Sequence, residues 1–457
     1  MTGGHYGTRV DCLTLRDVMH EISSREPANP TNTLSRRAIA PAGAHTGKVV
    51  PTQPELRALR ERPGILDHWS AVSAALVQRF SRVTSSGEFI PEIDGLRFIA
   101  ITAVIFHHLI AHYLTTTQRM GPVSLPADWY QVYSRSRLVS LVFPGYFGVH
   151  LFFVISGFIL ALPFARHHRG YAPGPRLKNY YLRRLTRIEP PYIINLSLVF
   201  AYIWLTNPGG AVFVPHFIAS LFYSHGLIYG GASWINGVAW SLEVEVQFYL
   251  LVPILANVFA IKDRFWRRAL ILVSIGFFGA AAQWLTVRAG INPAMLGVFN
   301  FLQYFLAGFM LVELYLTGWI LKGPKTYRWD GAALGWGLGI MLILMRFSEL
   351  FWLLPFAVVL FYVSVFRGRL AHAFVTFNVV TVLGGMCYTT YLYHMFIITY
   401  LDGAIVHRFL SPARSFTLDF FVYAWPQLFA IFFVCSWIFL WTEKPFMQIR
   451  RRTSQPL

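Results

Sequence analysis

The 457-residue sequence is 55% hydrophobic and 17% aromatic with only 13% charged residues, a balance that water-soluble domains rarely reach. A net charge of +18 would suit a nucleic-acid binder, but in so apolar a chain surplus Lys and Arg mark cytoplasmic loops, so nucleic acid is not an expected partner. Cys12, Cys387 and Cys435 are too far apart for a disulfide framework or a metal-ligand spacing, so no metal site is expected.

Residues 1–90 scatter Pro, Ser, Thr and Arg without a long apolar run, which predicts a largely disordered cytoplasmic extension. Within it, ILDHWSAVSAALVQRF at 65–80 has an apolar stripe with basic flanks, suiting either a helix on the inner leaflet or a mobile tail. No cleavable signal is expected at the start. A helical membrane domain is expected over 91–447, followed by a basic cytoplasmic tail at 448–457.

Ten spans are read at 97–114, 143–164, 190–206, 237–259, 267–287, 297–316, 331–346, 350–366, 379–401 and 419–441. The predicted fold is therefore an all-α polytopic membrane protein, not a barrel, since runs such as LFFVISGFILALPF do not alternate in polarity. With both termini cytoplasmic, the inner connections together with the span edges beside them hold 20 Lys and Arg and the outer ones 7. The segment VFVPHFIASLFYSHGLIYGG, 212–231, is nearly long enough to cross. Crossing would carry the basic IKDRFWRR loop outside, so it is read as an outer interfacial or re-entrant piece, with an eleven-span chain as the alternative.

The first span, DGLRFIAITAVIFHHLIAHY, carries ionisable groups that a lipid-facing helix would not tolerate. Eleven residues separate Arg97 from His108, so at 100° per residue the two share a face, with His108 roughly 16 Å further along the axis. His107 points away from that stripe. Arg97 suits either lipid phosphates or a ligand, whereas an imidazole at mid-membrane depth needs a protein partner or a wet cavity. In the fourth span, Glu245 falls at nearly the same depth as His108, and a carboxylate beside imidazole would favour a general base. Glu243 faces elsewhere and suits a structural hydrogen bond.

Before the third span runs RRLTRIEPPY, in which Arg184 and Arg187 are helical neighbours able to grip phosphates, with Arg183 adjacent. Topology and anionic lipid account for part of this charge. Without a GxxxxGK[ST] motif it is not a P-loop.

Taken together, DGLR with a histidine eleven positions after its arginine, GVHLFFVISGFIL, RRLTRIEPPY, WSLEVEVQFYLLVP, YTTYLYHMF and EKPF resemble, in order, the acyltransferase-3 family of integral membrane O-acyltransferases. The resemblance implies transfer of an acyl group, commonly acetyl, from acyl-CoA to a hydroxyl of a glycan, envelope polymer or small product, in the bacterial plasma membrane. It assigns His108 and Glu245 to catalysis, and Arg97, Arg184 and Arg187 to the family's arginines. Asn300 and Gln303 depart from the basic or acidic residues common in relatives.

On this reading Arg184 and Arg187, with Arg97 and Arg183 nearby, hold the CoA phosphates while His108, helped by Glu245, deprotonates the acceptor. Acyl-CoA is a donor substrate, and no tightly bound cofactor is expected. Ser156 suits close packing with Gly157 rather than a covalent relay. His394 is open to acceptor contact or packing. Trp240, Gln247 and Tyr249 are candidates to shape the acceptor cavity, and EKPF to anchor the last span. The rival readings are a proton- or ion-coupled transporter and a membrane scaffold.

Overall fold

The computed structural model describes residues 79–80, 89–117, 136–411 and 413–447. The chain divides into Met1–Gly64, which lies outside the described residues, and Ile65–Leu457. The expected N-terminal extension and basic tail thus fall largely outside as well, and of the 65–80 segment only 79–80 is described, as helix.

Among the described residues there is no strand, only an isolated bridge between Thr326 and Gly368. The helices are α1 (Pro91–Thr117), α2 (Arg137–Val142), α3 (Gly148–His168), α4 (Leu177–Thr206), α5 (Val214–Leu221) and α6 (His225–Tyr229). Then follow α7 (Trp240–Leu255), α8 (Arg264–Gln283), α9 (Pro293–Leu296), α10 (Leu302–Leu316) and α11 (Tyr327–Arg346). The chain continues through α12 (Leu354–Arg367), α13 (Leu370–Val375), α14 (Asn378–Gly385), α15 (Cys387–Phe409) and α16 (Phe416–Thr442).

Eight of the described helical segments are long and apolar enough to cross a membrane. The protein is an integral membrane protein. Of the ten expected spans, those matching α11 and α15 are not among the eight. Both are long helices, of 20 and 23 residues, but α11 carries Arg328, Asp330 and Arg346, and α15 spreads Thr389, Thr390, His394, Asp402 and Arg408 along its length.

Three boundaries differ from the sequence reading. Helix α4 begins at Leu177, not 190, and runs through RRLTR with Pro190 and Pro191 inside it. Two missing N–H donors interrupt the backbone ladder there without ending the helix, because the flanking turns continue on both sides. The expected 379–401 span is broken at Met386 into α14 and α15. The 212–231 segment is a 3₁₀ turn and two short helices broken at Phe222–Ser224, too fragmented to make an eleventh span.

Small residues bring the central helices close. A Cβ on Gly157 would strike the Phe305 carbonyl, and one on Gly308 the Val154 carbonyl, so α3 and α10 cross backbone to backbone. Gly384 of α14 lies against the Asp94 carbonyl of α1 in the same way. A buried bidentate pair ties α8 to α10: Arg267 donates from Nε and Nη2 to Glu313 at 2.8 and 2.7 Å, both residues being sealed from solvent. Asp263 caps α8 by accepting from the N–H groups of Phe265 and Trp266.

Candidate active site

Helices α1, α3, α4, α7 and α15 enclose a narrow cavity of about 90 Å³ that gathers Arg97, Arg184, Arg187, Ser156, Glu245 and Tyr249. Arg97 is nearly buried and donates to Asp94 at 2.7 Å, one turn before it on α1. A protein carboxylate therefore fixes this guanidinium, and free snorkelling to lipid is excluded. Arg184 lies over the Tyr180 ring with its Cζ 5.7 Å from the centroid, and its buried Nε has no acceptor among the described residues. Arg187 follows one turn later on the same face; Arg183 points off that face and does not line the cavity.

Glu443, from the EKPF motif beyond α16, reaches this end of the bundle. It is buried, accepts from Thr389 Oγ1 at 2.7 Å, and interacts electrostatically with Arg187 and Arg97. Burial pushes its carboxyl above the ordinary range, with Arg187 and Thr389 restraining the shift.

A second cavity, of about 610 Å³, is lined by His107, His108, Tyr146, His150, Asn236 and Trp240 among others. The two cavities share Val149 and Tyr391 in their walls. Tyr391 is held on both sides: its hydroxyl donates to the Val238 carbonyl at 2.8 Å and accepts from Ser241 at 2.8 Å.

The protonation pattern of the histidine pair follows from its partners. His394, fully buried, has Nδ1 2.7 Å from the Tyr391 carbonyl and 3.2 Å from that of Thr390. Carbonyls only accept, so Nδ1 carries the hydrogen and Nε2 of the neutral ring is left as an acceptor. That Nε2 lies 3.1 Å from His108 Nδ1, which is also 3.0 Å from the Val104 carbonyl. Two acceptors therefore face His108 Nδ1–H, and the lone pair of a neutral His108 is on Nε2. His107 is tied instead to the Phe143 carbonyl at 2.6 Å.

Glu245 does not stand where depth-matching along the helices put it. Its observed donor is Ser156 Oγ, at 2.7 Å, and Tyr249 also bonds to it. It belongs to the cavity of the arginines, while His108 lines the other. Equal depth fixes only one coordinate; the rotation of α7 turns this carboxylate toward α3. Ser156 is thus a hydrogen-bond donor, and the close helix packing belongs to its neighbour Gly157. Glu243 accepts from the Gly226 N–H at 2.8 Å, as a structural carboxylate would. Trp240 lines the histidine cavity, whereas Gln247 accepts from the Val298 N–H and Tyr249 faces the arginines.

Sequence reading passed over His150, which stacks on Phe147 at 4.8 Å and lines the histidine cavity from α3. The available signal was an ionisable side chain two residues into an apolar run.

A helical membrane protein with an arginine-lined cavity at one end and a paired histidine in a larger cavity beyond it has the parts for acyl transfer. Residues 90–441 match the acyltransferase domain, and the chain belongs to the acyltransferase-3 family. It is 26% identical over 353 residues to a candidate O-acetyltransferase of Staphylococcus aureus (strain COL), covering 69% of this chain and 53% of that protein. Against the peptidoglycan O-acetyltransferase OatA of Listeria monocytogenes the identity is 26% over 44% of this chain and 29% of the relative. The O-acetyltransferase OatA of Staphylococcus aureus (strain NCTC 8325 / PS 47) is 23% identical over 70% of this chain and 52% of its own length. The chain thus spans about half the length of the staphylococcal relatives it matches. No solved structure matches it significantly.

Proposed function

We propose that the protein carries an acetyl group from acetyl-CoA on the cytoplasmic side to a carbohydrate hydroxyl on the far side of a bacterial inner membrane. It would do so as a ten-span chain with both termini cytoplasmic. The observation that carries this reading is the pair of cavities meeting at Val149 and Tyr391, with arginines in one and the acceptor nitrogen of His108 in the other. O-Acetyltransferases among the relatives support acetyl as the group and a glycan as acceptor.

Arg184 and Arg187 bind the CoA phosphates, with the unpartnered Nε of Arg184 as a free donor. Asp94 and Glu245 orient the surrounding donors, and the pantetheine arm runs toward Tyr391. In the far cavity the acceptor hydroxyl gives its proton to His108 Nε2 as its oxygen attacks the thioester carbonyl. The tetrahedral intermediate collapses with loss of the CoA thiolate, which takes up that proton, leaving an ester and a free thiol. His394 steadies the ring through the Nδ1 hydrogen bond, so it is a positioning residue.

The test is release of free CoA by the purified full chain in nanodiscs, with mass spectrometry of the acceptor. Acetyl-CoA consumption with one acetyl mass gained by a glycan is expected. Movement of protons or solute across vesicles with no acylated product would overturn the reading in favour of a transporter.

A further inference from the structure

A third cavity, of about 650 Å³, adjoins the histidine cavity through His150, which lines both. It lies between the end of α8, the start of α10 and the turn before α12, and the acyl-transfer chemistry above makes no use of it. Two glutamines line it with the same polarity. Gln303, almost wholly buried, donates its Nε2 to the Asn300 carbonyl at 2.9 Å, and its buried Oε1 has no partner among the described residues. Gln283 donates Nε2 to the Ser348 carbonyl at 3.0 Å, and its buried Oε1 is equally unpartnered among those residues. A buried acceptor left without a donor is unfavourable, so two such amides on side chains that line one cavity favour a ligand that donates once each amide turns toward it.

The remaining lining narrows the chemistry. Trp284 and Trp352, 60% and 37% exposed, present indole surface to pack against a flat apolar face. Arg288 and Glu349 are the charged groups in the wall, one of each sign, which gives no net preference for an ion. Neutral hydroxyls that donate, beside C–H faces that pack on indole, describe a sugar ring.

We propose that this cavity is a second acceptor subsite that binds a neutral sugar unit of a glycan while another unit of the same glycan lies beside His108. The protein would then select oligosaccharides over single sugars. This deepens the acyl-transfer reading and rests on it for the placement of the reacting unit.

The probes are tetra-N-acetylchitotetraose and maltotetraose, with N-acetylglucosamine and glucose as single units. Binding to the full chain in nanodiscs is followed by ligand-observed NMR, and acetyl-CoA turnover by CoA release. At least one tetrasaccharide should bind more tightly than its monomer. Gln303→Leu and Gln283→Leu should each weaken tetrasaccharide binding by about three- to tenfold and leave the monomer unaffected. Trp352→Ala, at a partly exposed site, should do the same and guards against misfolding at the buried glutamine. Equal affinity for both lengths, tetrasaccharide binding untouched by all three variants, or no binding of either tetrasaccharide overturns the subsite. Length-dependent binding lost in the variants, with no CoA released on any acceptor, would leave the subsite standing and sink the acyl-transfer reading.

Discussion

His394 Nε2 sits 3.1 Å from His108 Nδ1 across 286 residues of sequence, and this contact sets which nitrogen of His108 is free. A buried imidazole, rather than a carboxylate, holds the candidate base. His108→Ala should lower acetyl transfer by about 10²- to 10⁴-fold, the range for loss of a general base. His394→Ala should reduce kcat by roughly tenfold with the acceptor KM little changed, and His394→Gln, whose amide oxygen can accept from Nδ1–H, should recover part of it. Steady-state CoA release checks all three; unchanged kcat in His394→Ala would remove the pairing from the mechanism.

The arginines separate by position. Losing a hydrogen bond to a charged group costs about 1.5–3 kcal/mol, so Arg184→Ala should raise the donor KM by roughly ten- to a hundredfold. Arg184→Lys should recover it incompletely, because an ammonium cannot reproduce the planar fork of donors. Arg183→Ala, outside the cavity lining, should change the donor KM less than twofold. Titration with acetyl-CoA at saturating acceptor reads these values.

Glu245 and Ser156 test the corrected geometry. Glu245→Gln keeps a side chain that can accept from Ser156 but removes the charge facing Arg97 and Arg184, so the donor KM should move while the pH profile of kcat stays in place. Ser156→Ala should retain most turnover. A covalent acyl-serine trapped in the wild type would contradict the direct attack drawn here.

Glu443 makes a prediction about stability. Its carboxyl is pushed up by burial, so protonation is favoured more in the folded chain than in the unfolded one. The sign follows: the contribution is fully present below the ordinary glutamate range and is lost as pH rises through the higher folded value. Glu443→Gln, which cannot ionise, should therefore flatten the fall in thermal stability across that window. Thermal unfolding in detergent at a series of pH values measures it.

The crossing of α3 and α10 should resist any added side chain. Gly308→Val would drive its Cβ into the Val154 carbonyl and the Phe158 amide, and the facing backbone of α3 leaves little room to yield. A loss of about 1–3 kcal/mol or more is expected, read as reduced yield and a lower unfolding temperature.

Much of this architecture is written in local patterns. The apolar runs locate the long helices, because helical periodicity is a short-range property, but His107 and His108 line the same cavity and differ only in their partners, the Phe143 carbonyl for one and His394 for the other. What depends on neighbouring helices was not legible. The partner of His108 lies on a helix remote in sequence, and Glu245 faces Ser156 and the arginines rather than His108, since no pattern within α7 fixes its rotation against α1 and α3. The break at Met386 was hidden because the apolar run continues through it. The helix through Pro190 and Pro191 was hidden for the opposite reason, two residues that usually stop a helix.

Tyr391 stands in the shared wall with its hydroxyl fully engaged on either side. A phenol so tethered has no hydrogen left to pass along a water file, and Val149 beside it offers none. A thioester can be presented at such a partition while protons and small ions are denied a wire through it. The same residues that bring donor and acceptor within reach of each other would keep the membrane electrically sealed.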